Sequence, residues 1–286
     1  LTAIAGAVAI LLLCLLKTAF CMAALRWAAT LLVDDGSKGH LVPPFVVPSL
    51  CIAAMMLVFL LALKTTFKSI LPGYGNILLA VGVLLVECAC LAAGMILDRH
   101  YGNPATPWIG KMLALAGLGF FVKAALNRSS RVDIGLCAPR SNSWWPTLVV
   151  FAVLLMMDLG ATHFIPIHQE LSLNKVLFMA LVSGSDEEVV FRGLMPSLLS
   201  TQDKSPEKTR KANALLAFSI PTMAFALMHA WRFHGEHFVF SWGTFAYIAV
   251  GACGFMYVRL RTGSLLSSLV LHNLTNLATA IALSAK

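Results

Sequence analysis

The sequence predicts an all-α fold, a polytopic integral membrane protein of about 8–9 transmembrane helices. Three observations carry that expectation. Of 286 residues, 59% are apolar and only 12% are charged, whereas soluble domains carry roughly 25% charged residues. The mean hydropathy is +0.82. The apolar residues gather in runs near the ~20 residues that a helix needs to cross a bilayer, with polar or chain-breaking stretches between them.

The runs fall near 1–25, 45–64, 76–97, 107–127, 144–163, 171–200, 211–230, 241–260 and 264–284. The first lacks the charged n-region and small-residue cleavage site of a signal peptide and reads as a retained anchor. Asp34-Asp35-Gly36-Ser37, Leu71-Pro72-Gly73, Gly102-Asn103-Pro104 and Arg261-Thr262-Gly263-Ser264 punctuate the series. Polar gaps on the order of a dozen residues leave no room for a soluble domain between spans. Trp108, Trp144, Trp145 and Trp242 fall near helix ends, as an interfacial aromatic belt would place them. Cys14, Cys21, Cys51, Cys88, Cys90 and Cys253 lie in apolar runs and read as buried reduced thiols; Cys137 stands in a polar loop without a near partner. No internal repeat of the inverted-transporter kind is visible.

The formal charge of +8 does not point to nucleic acid, because the basic residues are scattered singly and in short clusters between apolar runs, with no extended basic arm. Membrane topology accounts for them. One set of loops holds Lys64, Lys68, Lys123, Arg128, Arg131, Arg140, Lys204, Lys208, Arg210, Lys211, Arg259 and Arg261. The opposite set holds Arg26, Lys38, Arg99, Lys111, Lys175, Arg232 and Lys286. By the positive-inside rule the richer set is cytoplasmic, which puts the N-terminus in the cytoplasm and the C-terminus outside.

The sixth run is where chemistry enters. Within Phe178–Gly193 it places Asp186, Glu187, Glu188 and Arg192 in an otherwise apolar helix. At roughly 2.5–3.5 kcal/mol per charge at the bilayer centre, four unpaired charges cost on the order of 10 kcal/mol. Glu188 and Arg192 are four apart with the acid N-terminal, the favourable arrangement for an ion pair. Glu187 points about 100° away and has no such partner, which makes it a candidate general base. The bland alternative is an ion-pair cluster that fixes helix packing.

Two later runs add polar groups. Phe225-Ala226-Leu227-Met228-His229 ends an apolar helix on a histidine, and His272 and Asn276 share one face of the last helix. Interhelical hydrogen bonding would explain each by itself. Glu87, Asp158 and Lys17 are further intramembrane polar groups. Lys17 can snorkel to an interface, while nothing in the sequence pairs Glu87 or Asp158.

The three segments together, Glu187-Glu188-x-x-x-Arg192, Phe225-x-x-x-His229 and His272-x-x-x-Asn276, resemble the CAAX protease and bacteriocin-processing family. These are glutamate-type intramembrane proteases that include the type II CAAX prenyl endopeptidase. The Phe191-Arg192-Gly193 run is also similar to the family's pattern. The resemblance covers residues 171–286 as the catalytic helices and leaves 1–170, about five spans, as generic membrane helices. It implies hydrolysis of a peptide bond near the C-terminus of a membrane-associated or lipidated protein or peptide. Glu187 with His229 would activate a water, His272 and Asn276 would form the oxyanion hole, and Glu188 and Arg192 would support the site. It implies no cofactor, no metal and no nucleic acid; the partners are the substrate segment and the lipid bilayer, and the location is a bacterial inner membrane.

Other chemistries leave weaker traces. One carboxylate and two histidines match the three-ligand set of a catalytic zinc, but no His-Glu-x-x-His is present. His234-Gly235-Glu236-His237 reads as a surface loop with incidental histidines. Cys88 and Cys90 have no placed base, and no Gly-x-Ser-x-Gly elbow supports a serine mechanism. A non-catalytic membrane scaffold or immunity protein, or a transporter with a carboxylate relay, are the rival classes.

Overall fold

The protein is described from a computed structural model covering residues 46–66, 71–101, 105–128, 133–163, 170–200, 207–234 and 237–285. The expected span 1–25 with Lys17, and the turn 34–37, lie outside the described residues, as do Lys68, Gly102-Asn103-Pro104, Arg131, Lys204 and Gly235-Glu236.

Helix α1 (Val46–Thr66) is followed by α2 (Tyr74–Tyr101), α3 (Trp108–Arg128), a 3-10 turn at Ser141–Ser143 and α4 (Trp144–His163). Next come α5 (Leu173–Leu181), the single turn α6 (Ser185–Glu188), a π-helical turn (Val189–Leu194) and α7 (Met195–Leu199). The chain continues through α8 (Glu207–Ala230), β1 (Trp231–His234), β2 (His237–Phe240), α9 (Trp242–Thr262) and α10 (Leu265–Ser284). The two strands form an antiparallel hairpin that pairs Trp231 with Phe240, an element absent from the sequence expectation. Ser241 caps α9 through Thr244 N–H, and Gly263, in the left-handed region at φ 71°, ends it.

Among the described residues six helices are long and apolar enough to cross a membrane: Pro48–Thr66, Tyr74–Tyr101, Ser141–His163, Thr209–Ala230, Trp242–Thr262 and Leu265–Ser284. The expected count of 8–9 is therefore reached only in part. Helix α3 and the segment 173–199 stand where further spans were expected, and the latter is broken into short helical pieces. Large apolar side chains face outward all around the bundle, Phe120 at 77% exposure and Met156 at 70% among them. Such a surface suits lipid rather than water.

The sixth run is not one helix. It breaks at Val182-Ser183-Gly184, restarts for one turn and then widens into the π turn. π turns inside helices gather at functional sites. This segment is the centre of the molecule: Val190, Phe191, Leu194, Met195 and Leu199 have at most 1% of their surface exposed. They join a core with Ile52 and Leu60 of α1, Ile77 and Leu84 of α2, Leu118 of α3 and Phe225 of α8. Two smaller expectations need correction. Cys253, expected to be buried, is exposed, while Cys51 and Cys88 are buried. Lys111, counted among the loop cations, is buried at 7% exposure.

Candidate active site

Why Lys111 points inward follows from how α3 starts. Asp98, near the end of α2, accepts from the N–H groups of Ile109 and Gly110 at 3.1 and 2.8 Å, satisfying donors that a helix leaves open at its N-terminus. Gly94 and Gly110 let the two helices touch, since a Cβ on Gly94 would overlap the Gly110 backbone. Asn174 on α5 joins Thr106 to Trp108 through its two amide atoms. Thus pinned, the first turn of α3 aims Lys111 Nζ at Asp186 Oδ1, 2.7 Å away, and Glu187 Oε1, 3.0 Å away.

Glu187 is therefore not partnerless, contrary to what its helix spacing suggested. Its second oxygen, Oε2, lies 3.9 Å from His229 Nε2 and 3.9 Å from His272 Nε2. Both separations exceed a direct hydrogen bond. His229 ends α8, and its Nδ1 lies 2.9 Å from the Phe225 carbonyl one turn earlier. A carbonyl only accepts, so Nδ1 carries the proton and Nε2 of the neutral ring presents a lone pair toward Glu187.

His272 sits deeper, with its Nδ1 2.8 Å from Glu188 Oε1 and its ring stacked on Phe255 at 4.6 Å and 18°. Glu188 is fully buried and ion-pairs with Arg192 at 3.1 Å in the expected i, i+4 relation. The Arg192 guanidinium lies over the Phe225 ring, 4.2 Å from its centroid, a cation–π contact that links the first motif to the second. Gly184 allows His272 its place, because a Cβ there would come within 2.6 Å of His272 Nδ1.

Asn276 donates its amide to Ser183 Oγ at 2.9 Å and lines the same cavity as Glu187, His229 and His272, a space of about 250 Å³. The neighbouring Asn273 is buried at 1% exposure and accepts from Gly184 N–H at 2.8 Å, with Ser185 Oγ at 3.4 Å from its amide nitrogen. It fastens the break in the central helix to α10. All four expected catalytic residues and both expected supporting residues converge on one end of this broken helix. Sequence reading missed Lys111 and Asn273. A lysine inside one apolar run, set against a surplus of acids in another, was the available signal for the first.

Residues 169–278 match the family model described as type II CAAX prenyl endopeptidase Rce1-like. The match is to the same family that the three motifs indicated, and it spans the broken helix, α8, the hairpin, α9 and most of α10. No curated protein and no solved structure matches the chain. The Rce1-like segment thus holds the acids, both histidines and both asparagines, while α1–α4, outside it, add Lys111 to the site. The apolar helices support an integral membrane protein, and the matched segment is similar to a CAAX-type prenyl endopeptidase.

Asp158 and Glu87, unpaired at the level of sequence, also acquire surroundings. Asp158 on α4 accepts a hydrogen bond from the Tyr247 hydroxyl on α9. Glu87 on α2, 3% exposed, is close enough to interact electrostatically with Lys111, Asp186 and Glu187. Among the described residues no three His, Cys, Asp or Glu side chains form a group at metal-holding distances.

Proposed function

We propose that this chain is a glutamate-type intramembrane endopeptidase. It would hydrolyse a peptide bond near the C-terminus of a membrane-associated or lipidated protein, in a bacterial inner membrane with the N-terminus in the cytoplasm. The observation that supports it most is the placement of one carboxylate oxygen, Glu187 Oε2, at 3.9 Å from two separate imidazole nitrogens on a cavity wall. A purely structural ion-pair cluster gains nothing from holding three polar groups just beyond contact.

In this reading a water sits between Glu187 Oε2 and His229 Nε2. The lone pair on Nε2 and the carboxylate share the proton that leaves as the water oxygen attacks the peptide carbonyl. Lys111 occupies Glu187 Oε1, which leaves Oε2 to face the cavity. The developing oxyanion meets His272 Nε2 and Asn276 Nδ2. Because His272 Nδ1 already donates to Glu188, an Nε2–H for the oxyanion is present only when the ring carries both protons. Asn276 has a second amide hydrogen beyond the one given to Ser183. When the C–N bond breaks, the proton taken from water passes to the leaving amine, so one water is consumed and no proton is gained or lost by the site.

The test is cleavage of a prenylated or transmembrane C-terminal peptide by the full chain in detergent or liposomes. Glu187→Gln and His229→Ala are expected to abolish it while the helical content stays unchanged; undiminished cleavage by both variants would refute the assignment. The zinc alternative is read in the same assay, where full inhibition by a strong chelator and recovery with Zn²⁺ would replace the water-activating dyad with a metal.

A further inference from the structure

The cavity holding Glu187, His229 and His272 has a second polar wall, built from Asp158 on α4, Tyr247 on α9 and Thr279 on α10. The Tyr247 hydroxyl donates to Asp158 Oδ1, and Thr279 stands beside the same carboxyl on the cavity wall. Three helices that pack on one another in pairs, α4 with α10, α4 with α9 and α9 with α10, therefore converge on one acid. A carboxylate accepts about four hydrogen bonds, so the Tyr247 hydroxyl orients Asp158 without filling it. The hydrolysis scheme does not use this group.

Asp158 has no lysine or arginine partner among the described residues of the cavity wall. Glu187 and Asp158 are the acids on its wall, and among the described residues lining it there is no lysine or arginine. Lys111 and Arg192 are engaged with Asp186, Glu187 and Glu188 instead. An oriented carboxyl with spare acceptor capacity, facing a cavity, recognises a cation on whatever enters.

We propose that Asp158, held by Tyr247 and flanked by Thr279, is a subsite for a basic side chain, Lys or Arg, of the substrate peptide next to the scissile bond; this rests on the protease reading above. The same wall opposes a free carboxylate, so the substrate's own C-terminal carboxylate is seated elsewhere.

The experiment uses the full chain in liposomes and pairs of transmembrane C-terminal peptides that differ only by Lys or norleucine, the exchange being scanned through the positions flanking the cleaved bond. At one position the wild type is expected to prefer Lys by about tenfold or more in kcat/KM, the scale of one hydrogen bond to a charged group. Asp158→Asn should bring that ratio to about one. A wild-type ratio near one at every position overturns the subsite, as does an equal loss on both peptides in Asp158→Asn, which would mark Asp158 as a positioning residue. Tyr247→Phe and Thr279→Val keep the acid and supply the readout if Asp158→Asn does not fold; a ratio unchanged in both also overturns it. Binding of the uncleaved peptides to Glu187→Gln, with and without Asp158→Asn, separates the two ideas. Lys-dependent binding that needs Asp158 without wild-type cleavage upholds the subsite and fails the protease, whereas cleavage without Lys preference fails the subsite alone. Binding that ignores both Lys and Asp158 overturns the subsite as well.

Discussion

Lys111 Nζ lies 3.0 Å from Glu187 Oε1, so a residue of the chain's first half, outside the Rce1-like match at 169–278, reaches into the first motif. The same ammonium is 2.7 Å from Asp186. Asp186, Glu187 and Glu188 bring three acidic groups to one turn, and Lys111 and Arg192 are the two cations that balance them.

Removing one member of a buried ion pair leaves an uncompensated charge and costs roughly 3–5 kcal/mol. Lys111→Met is therefore expected to lower the unfolding midpoint in detergent and to abolish cleavage. Adding Asp186→Asn should restore stability in part, because it removes one of the acids left exposed. Thermal unfolding of the single and double variants measures the coupling, and a double variant no more stable than Lys111→Met would refute the charge-balance account.

Gly184→Ala tests the close approach between the helix break and His272. A methyl group placed 2.6 Å from His272 Nδ1 forces the ring away from Glu188, so kcat is expected to fall by about a hundredfold, the scale of one lost oxyanion donor. The fold, held by the core around Phe191 and Leu194, should persist. Near-normal kcat in a folded variant would show that His272 tolerates displacement.

The two asparagines of α10 should separate cleanly. Asn276→Ala removes a cavity-facing donor and is expected to lower kcat by about 10²–10³-fold with little change in KM. Asn273→Ala, by contrast, strips the partner from the buried Gly184 N–H and should cost about 1–3 kcal/mol of stability. Kinetics and thermal unfolding on both variants check the division; the reverse pattern would exchange their roles.

Glu188→Gln keeps an oxygen for the Nδ1–H of His272 but removes the charge that balances Arg192. It is expected to retain less activity than wild type and more than Glu188→Ala, which removes both. Equal activity of the two variants would mean that charge alone matters at this position.

Much of the site was legible because its motifs are local. Glu188 and Arg192, Phe225 and His229, and His272 and Asn276 are each four apart on a helix, and a helix turns spacing into direction without reference to anything else. The expensive burial of charge in the sixth run likewise marked it as the place where partners had to exist. The broken geometry of that run was not legible: Val182-Ser183-Gly184 contains one glycine and no proline, and its break is held by Asn273 from a helix some ninety residues later.

Composition and helix-length runs by themselves pointed to a mainly helical membrane chain, and motif spacing pointed to which acids, imidazoles and amides lie together. The tertiary structure alone decided that Lys111 serves the acidic turn, that Glu187 Oε2 faces two histidines, and that Asp158 meets Tyr247 across the same cavity. The physical reason is that membrane helices are apolar on every side, so their sequences carry little sign of which way each one is turned. Rotation is set by contacts such as Gly94 against Gly110 and Asp98 at the start of α3, and those exist only once the helices have packed.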